Sequence, residues 1–312
     1  MQVLVAGATG FVGSRLVPVL LGAGHDVRAL TRHPQDYQGP ARPVGGDVRD
    51  AAALDAAMHG CDAAYYLVHS LDAADFAERD AQGARAFGAA AASAGIGQIA
   101  YLGGLGVDGD ALSAHLRSRR DVEQMLGESG VPVTVLRAGI VVGNGGLSWE
   151  LTRQLVSHLP LMVTPRWVST RSQPIAIDDV VCYLAGVLGV PAALGAVYEV
   201  GGPEVLTYAE MLRGVAHVLH RPLVVLPVPL LTPRLSSAWL SLVTSVDKQT
   251  ATALVDSMTN EVIVSDTSIQ QLIPRQLMSF ETAARQALDE RRASSREQAS
   301  EQASEQGRRA PA

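Results

Sequence analysis

The sequence opens with an apolar run that leads directly into closely spaced glycines, Gln2-Val3-Leu4-Val5-Ala6-Gly7-Ala8-Thr9-Gly10-Phe11-Val12-Gly13. The apolar run predicts a buried strand, and the helical spacing of apolar residues over residues 10–22 predicts a helix after it. A glycine-rich turn between a strand and a helix is a context in which backbone amides bind phosphate groups. The first glycine permits the tight turn, the second lets the backbone approach the ligand, and the third lets the helix pack closely on the strand. The sequence therefore predicts a dinucleotide-binding turn formed by Gly7, Thr9, Gly10, Phe11, Val12 and Gly13.

Strand and helix patterns alternate through the first 142 residues, which predicts parallel βαβ units. The fold class is therefore α/β, with a doubly wound parallel sheet of the Rossmann type. After about Gly143 the alternation loosens, and Pro160, Pro165 and Pro174 mark loops. We predict a nucleotide-binding core at 1–142 and a smaller C-terminal α/β lobe on the substrate side at 143–292, in which 174–200 returns to the main sheet. The polar, repetitive tail at 293–312 is predicted to be disordered.

The residues after the second, third and fourth strands define how the dinucleotide is held. Arg32 follows the second strand, where a site for NAD usually carries an acidic residue. A guanidinium suits a 2′-phosphate, which favours NADP, with NAD still possible; a solvated surface arginine is the alternative. Asp47, followed by Val48, either accepts from the adenine amino group or caps the next helix. Leu67, Val68 and His69 follow the fourth strand, at the sheet edge where ligands bind, although His69 is also compatible with a solvated loop.

Composition excludes several classes of protein. The chain has 312 residues, of which 47% are hydrophobic and 18% charged, with a formal net charge of -6. This balance supports a packed core and offers no basic face for nucleic acid. Cys61 and Cys182 are far apart and lie in no Cys/His cluster, so we expect free thiols and no metal site. The first residues lack the features of a signal peptide, and prolines interrupt the apolar stretch Leu223–Val246, so we expect a cytoplasmic protein without a membrane span.

Further motifs complete a resemblance that runs from Met1 to about Arg291. They are Val27-Arg28-Ala29-Leu30-Thr31-Arg32, Leu136-Arg137-Ala138-Gly139, Pro174-Ile175-Ala176-Ile177-Asp178-Asp179-Val180 and Tyr198-Glu199-Val200-Gly201-Gly202-Pro203. With the glycine-rich turn, they resemble the short-chain dehydrogenase/reductase superfamily, in particular its extended, atypical branch, which includes NmrA-like proteins and the accessory subunit of respiratory complex I. The segment Thr232–Val264 looks like an uncharacterised bacterial subgroup. The resemblance implies a nicotinamide dinucleotide as cofactor and places Arg137 and Ala138 near it.

The superfamily's chemistry uses a Tyr and, four residues later, a Lys, with a Ser or Thr on the preceding strand. In this chain His115 stands at the Tyr position, Arg119 at the Lys position, and Gly103-Gly104 where the hydroxyl residue is expected. Arg119 can still hold ribose hydroxyls, because a guanidinium is a permanent cation with several donors. His115 is either a replacement proton donor or a polar wall of the pocket, and a neighbouring guanidinium would lower its pKa. Tyr101 and Ser118 are alternative hydroxyls for which a structural role is the simpler interpretation.

These features favour an NADP-dependent oxidoreductase that acts on a small or medium carbonyl, enone or quinone. A non-catalytic NADP sensor or scaffold is the first alternative, because the binding motif is intact while the proton-transfer residues are replaced. A nucleotide-sugar epimerase or dehydratase is the second. Trp149, Trp167 and Trp239 either line an apolar substrate pocket or pack in the core. The sequence leaves open the choice between a small-molecule substrate and a protein partner, and between a monomer and a homodimer.

Overall fold

A parallel sheet covered by helices forms the centre of the computed structural model, which describes residues 1–70, 73, 75–106, 112–227 and 248–309. The strands are β1 (Gln2–Ala6), β2 (Asp26–Thr31), β3 (Arg42–Gly45), β4 (Ala63–Tyr66), β5 (Gln98–Gly104), β6 (Val133–Ala138), β7 (Val141–Val142), β8 (Leu161–Thr164), β9 (Arg171–Ser172), β10 (Ile175–Ala176), β11 (Val197–Val200), β12 (Leu206–Thr207) and β13 (Val224–Pro227). The helices are α1 (Gly13–Gly22), α2 (Ala51–Met58), α3 (Phe76–Ser93), α4 (Ala114–Gly127), α5 (Leu147–His158), α6 (Ile177–Gly186), α7 (Tyr208–Val218), α8 (Lys248–Ser257), α9 (Ser268–Leu272) and α10 (Phe280–Arg309).

Seven strands form the main sheet in the order β11-β6-β5-β4-β1-β2-β3, and all of its pairings are parallel. The chain builds outward from β1 to β3 and then crosses to the other side of β1 to add β4. The strand order therefore reverses between β1 and β4, and ligands bind at the carboxyl ends of the strands on either side of such a point. The doubly wound α/β fold predicted from the sequence is confirmed.

Alternating side chains of the strands build a core on each face of the sheet. Val3 and Val5 of β1 pack with Leu16 of α1 on one face, together with residues of α6. Leu4 and Ala6 of the same strand point to the other face, where residues of α2, α3 and α4 cover them. Because both faces are buried, these strands read as continuous apolar runs, which is why the sequence pattern identified them.

The second half of the chain adds one strand to the sheet and a separate core. Strand β11 lies beside β6, so residues 197–200 belong to the main sheet, whereas β10 pairs with β7 outside it. Helices α5, α7 and α10 enclose a third cluster that includes Trp149 and Trp167. These two indoles are 1% and 7% exposed, and Trp167 meets Tyr208 edge to face. Both pack in the core, whereas Trp239 lies outside the described residues.

One local expectation differs from the structure. The tail expected to be disordered from residue 293 continues α10 as a helix to Arg309, because its Ala, Glu, Gln and Arg residues have high helix propensity. Helix α6 begins at Ile177, and Asp178 lies in its first turn, where its carboxylate accepts from Gln286. Val262 forms a single bridge with Ser172.

Candidate functional site

The turn between β1 and α1 has the shape that the glycine pattern predicts. Gly7 has a φ of +87°, and a Cβ at this position would lie 2.6 Å from the carbonyl oxygen of Leu67. A Cβ on Gly13 would lie 2.1 Å from the carbonyl oxygen of Gly7. Side chains are therefore excluded at both positions, and the backbone of the turn lies close to α1 and to the loop after β4.

The same turn leaves backbone donors available at the start of α1. The amide of Gly10 donates to the carbonyl of Gly7 at 3.0 Å, but those of Phe11 and Val12 donate to no acceptor in the described part of the chain. Val12, at the N-cap of α1, offers no side-chain cap. Free amides at the positive end of a helix bind anions, so these residues fit the diphosphate of a dinucleotide.

A cavity of about 490 Å³ extends from this turn over the carboxyl ends of β2 and β3. Its lining is slightly more polar than apolar and includes residues that suit a phosphorylated ribose and a base. They are Gly7, Thr9, Thr31, Arg32, His33, Tyr37, Asp47, Val48, Arg49, Val68, His69, Arg79 and Asp80, among others. Arg32 is exposed and makes no hydrogen bond or ion pair to another described residue, so its guanidinium is free to bind an anion.

Asp47 lies in this cavity but its carboxylate is already engaged. Its oxygens accept from the Arg49 guanidinium at 2.9 and 3.1 Å and from the Arg49 backbone amide at 2.9 Å. The hydrogen bonds from Arg49 hold the pKa of Asp47 below its ordinary value. The alternative that Asp47 caps α2 is wrong, because Asp50 caps this helix by accepting from the amide of Ala53. Arg49 was missed by the sequence analysis; an acidic and a basic residue two positions apart give little indication of this contact.

A second cavity, of about 290 Å³, continues from the first over the ends of β4, β5 and β6. Val68 and His69 line both cavities, so the two form one cleft across the sheet. The lining of the second cavity is mainly apolar. It includes Gly10, Phe11, Val12, Leu67, Leu102, His115, Leu116, Arg119, Ala138, Ile140, Tyr208, Met258 and Val262.

His115 lies on α4 and lines the second cavity, as the resemblance predicted. Burial, first of all, and then the charges of Arg119 and His69 lower the pKa of His115 from 6.5 to about 3. The direction agrees with the sequence analysis, although burial is a larger cause than the neighbouring guanidinium. At neutral pH the imidazole is therefore uncharged, and it can donate a hydrogen bond but cannot act as an imidazolium acid.

Arg119 lies one helical turn after His115 and lines the same cavity, but its guanidinium is also held by a residue that the sequence analysis missed. Arg119 Nη2 donates to the carboxylate of Asp80 on α3, and the two residues are 8% and 2% exposed. A signal for Asp80 was present in the sequence. It lies on the helix face that Ala84, Phe87 and Ala91 bury, and a charge on such a face indicates a buried ion pair.

Arg137 is not part of the cleft. Strand alternation places Leu136 and Ala138 in the core on one face of the sheet, so Arg137 points to the opposite face. There its guanidinium makes two hydrogen bonds to Glu123 of α4, at 2.6 and 3.1 Å. The structure therefore contradicts the expectation that Arg137 contacts the cofactor, while Ala138 does line the second cavity.

The alternative hydroxyl groups are occupied elsewhere or buried. Tyr101 is 1% exposed, and its hydroxyl donates to the carbonyl of Arg119 at 3.1 Å. Burial raises the pKa of Tyr101 to about 12. Ser118 is 2% exposed and lines neither cavity. At the end of β5, a Cβ on Gly104 would lie 2.9 Å from Leu116, so α4 occupies the space that a hydroxyl residue would need.

Comparison with known proteins agrees with this geometry. Residues 7–158 match a family of NAD(P)H-binding domains. The chain is 34% identical over 234 residues to a (4-alkanoyl-5-oxo-2,5-dihydrofuran-3-yl)methyl phosphate reductase of Streptomyces griseus, an alignment that covers 71% of this chain and 75% of that protein. The chain belongs to the NAD(P)-binding reductases of the atypical short-chain dehydrogenase/reductase family.

Solved structures of other reductases show the same fold. An NADPH-dependent quinone oxidoreductase of Escherichia coli, crystallised with NADPH, superposes with a TM-score of 0.75 at 20% identity, covering 90% of this chain and 98% of that one. A triphenylmethane reductase of Citrobacter sp., crystallised with NADP(H), superposes with a TM-score of 0.76 at 17% identity, covering 92% and 100%. At these identities the likeness concerns the fold alone.

The described residues lack two further features. None of the helices in the described ranges is both long and apolar enough to cross a membrane. The same residues contain no group of three or more His, Cys, Asp or Glu side chains that could hold a metal ion.

Proposed function

We propose that the protein is an NADP-dependent oxidoreductase that reduces a small or medium carbonyl, enone or quinone, with conjugated acceptors preferred. The observation that carries this proposal is the single cleft with two different ends. The unpaired guanidinium of Arg32 lies at the polar end, and the neutral imidazole of His115 lies at the apolar end.

The residues present fit a nicotinamide dinucleotide in its usual direction across such a sheet. The amides of Phe11 and Val12 would hold the diphosphate, and Arg32 would bind a 2′-phosphate, which is why we favour NADP over NAD. Val68 and His69, at the junction of the cavities, would lie along the middle of the cofactor. When bound, reduced nicotinamide supplies a hydride.

The acceptor would lie in the apolar cavity, whose walls include Leu102, Met258 and Val262. These walls exclude water and hold a flat or aliphatic molecule by burial of its apolar surface. His115 would donate an N–H hydrogen bond to the acceptor's oxygen. Because its pKa is about 3, it does not supply a charged acid at neutral pH.

Because His115 is uncharged at neutral pH and supplies no imidazolium, conjugated acceptors are favoured. A saturated ketone becomes a localised alkoxide when it gains a hydride, and this step depends on a proton donor. An enone or a quinone becomes a delocalised anion, which solvent can protonate later. The Streptomyces griseus relative is named as the reductase of a phosphate ester that carries an unsaturated keto-lactone ring, which supports the same acceptor class.

The test is a comparison of matched acceptors with purified protein and NADPH, followed by loss of the reduced-nicotinamide absorbance. We expect turnover of enones and quinones to exceed that of saturated ketones of the same size. His115→Ala should lower kcat by about tenfold, the equivalent of one hydrogen bond, without abolishing it. Faster turnover of the saturated ketones would contradict the acceptor class.

A non-catalytic NADP sensor is a second candidate, because the structure offers a cofactor cleft beside residues that replace the family's Tyr, Lys and Ser. The same experiment separates the two functions. Tight binding of NADPH without turnover across a broad panel of acceptors would overturn the reductase proposal and support the sensor.

A further inference from the structure

The Asp80–Arg119 ion pair lies at the place where the two cavities of the cleft meet. Asp80 lines the first cavity and Arg119 lines the second. The pair is almost fully buried and connects α3 to α4 beneath the cleft. Neither the sequence motifs nor the comparisons assign a role to Asp80. The contacts of the pair are therefore the evidence for its role.

Several contacts fix the direction of the Arg119 side chain. Its Nη2 donates to Asp80, and the Tyr101 hydroxyl donates to its carbonyl. Its Cβ and Cγ lie 3.5 and 3.4 Å from the place where a Cβ on Gly104 would be, so the missing side chain there makes room for its stem. Arg119 Nη1 has no acceptor among the described residues. Arg119 lines the second cavity, so a residue whose guanidinium is held by Asp80 borders the space in which an acceptor would lie.

The pair is poorly arranged for stability alone. Asp80 Oδ1 and Arg119 Nε are both buried without a hydrogen-bond partner. The desolvation of a buried ion pair can cost more free energy than the pair's attraction returns, above all where atoms of the pair lack hydrogen-bond partners. Asp179 shows the contrast, because it is fully buried, accepts from both Arg275 and the amide of Met278, and lines neither cavity. Buried polar groups normally have hydrogen-bond partners, and departures from this rule occur at functional sites. The unsatisfied atoms of this ion pair, beside a cleft, therefore indicate a functional role.

We infer that Arg119 stabilises the negative charge that develops on the acceptor's oxygen during reduction, and that Asp80 is the positioning residue that holds the guanidinium in place. The inference rests on the proposed reductase function. The acceptor's carbon gains a hydride with its electron pair, the π electrons move onto the oxygen, and the oxyanion then takes a proton from solvent. A permanent cation aimed at that oxygen lowers the barrier without giving up a proton.

This role differs from the one that the resemblance implied, in which Arg119 holds the hydroxyls of the cofactor's ribose. A ribose contact would act on cofactor affinity. Stabilisation of an oxyanion would act on kcat and on the affinity for anionic ligands, and would leave NADPH binding nearly unchanged.

The experiment uses Arg119→Gln, Asp80→Asn and the double variant that combines them. The double variant carries no uncompensated charge and keeps similar side-chain volumes, so it remains informative if a single variant fails to fold. Asp179→Asn is the control, because it removes a buried carboxylate that is paired with an arginine away from the cleft. Each protein is assayed for thermal unfolding, for the Kd of NADPH by calorimetry, and for kcat and KM with a quinone.

A spectroscopic probe reports on the anion without turnover. The probe is 4-nitrophenol, whose anion and neutral form absorb at different wavelengths, added to protein saturated with NADP. In the wild type we expect the bound phenol to ionise at a lower pH than the free phenol. Arg119→Gln and the double variant should weaken phenolate binding at least about tenfold and lower kcat about 100-fold, the usual cost of one oxyanion donor. Asp80→Asn should have smaller effects in the same direction, and Asp179→Asn should have none on the probe.

The outcomes separate the inference from the proposed function. Loss of NADPH affinity with unchanged kcat at saturation would overturn the inference in favour of a ribose contact. Equal phenolate affinity in the wild type and Arg119→Gln would also overturn it. If the wild type fails to reduce every acceptor but still lowers the pKa of the bound phenol through Arg119, the reductase proposal fails while anion stabilisation by Arg119 stands.

Discussion

Asp47 and Arg49 form a closed pair in the polar end of the cleft, with two hydrogen bonds from the guanidinium to the carboxylate at 2.9 and 3.1 Å. Arg32, in the same cavity, has no hydrogen bond or ion pair to any described residue. Arg79, which also lines the cavity, is paired with Asp75. Of the three described arginines there, Arg32 is therefore the one available to a ligand. This difference predicts unequal contributions to cofactor choice.

Arg32→Ala should weaken NADPH binding at least about tenfold and leave NADH binding nearly unchanged, because a free guanidinium makes charge-assisted hydrogen bonds to a 2′-phosphate. Arg49→Ala is the control in the same cavity, and its effect on NADPH should be about threefold or less, since Arg49 is already bound to Asp47. Calorimetric titration with both cofactors measures the two effects. Equal losses of NADPH and NADH affinity in Arg32→Ala would contradict the assigned contact.

The two ends of α1 provide a test of the glycine-rich turn. A Cβ on Gly13 would overlap the Gly7 carbonyl, whereas a Cβ on Gly22 has nothing within 4 Å. Gly13→Ala should lower the free energy of unfolding by about 2 kcal/mol or more and abolish cofactor binding. Gly22→Ala should leave binding intact and raise stability by up to about 1 kcal/mol, because alanine has the higher helix propensity. Urea denaturation and NADPH titration of both variants measure this; similar behaviour of the pair would refute the packing role of Gly13.

The main features of the fold could be predicted from the sequence because they are local. Apolar runs such as Gln2–Ala6 identify buried strands, and the glycines between β1 and α1 identify the turn that any ligand must approach. Alternating strands and helices require parallel connections, which predicts the doubly wound class. His115 was assigned through the family resemblance, as the residue at the Tyr position, and it lines the second cavity.

What the sequence did not predict depends on contacts between distant elements. The register of β6 decides on which face of the sheet Arg137 lies. On that face, Arg137 donates to Glu123 of α4. Arg119 finds Asp80 across two helices, 39 residues away in the chain. Such pairs require the packing of α3 against α4, which no pattern within either helix specifies. The choice between a ligand contact and an internal ion pair could therefore be made only with the structure.

The low pKa of His115 predicts how stability changes with pH. The folded protein binds a proton at His115 only near pH 3, whereas an unfolded chain does so near 6.5, so the wild type loses stability as the pH falls below 6.5. Between pH 7.5 and 5 this group should account for a loss of about 2 kcal/mol in the free energy of unfolding. His115→Gln should remove that part of the loss, and His59→Gln, at an exposed position, should not. Urea denaturation at the two pH values measures it, and an identical loss in wild type and His115→Gln would show that the imidazole is not protected from protonation.

Met258 allows the acceptor end of the cleft to be tested separately from the cofactor end. It is 5% exposed, lines the second cavity and does not line the first. Met258→Trp places a larger, rigid side chain against a cavity of about 290 Å³, so we expect the KM for a quinone to rise at least about tenfold while the Kd for NADPH changes by less than about twofold. Val163→Trp, on a strand whose side chain there is 49% exposed, controls for the added bulk and should change neither constant. If Met258→Trp weakened NADPH and quinone binding together, the apolar cavity would belong to the cofactor, and the acceptor would have to enter elsewhere.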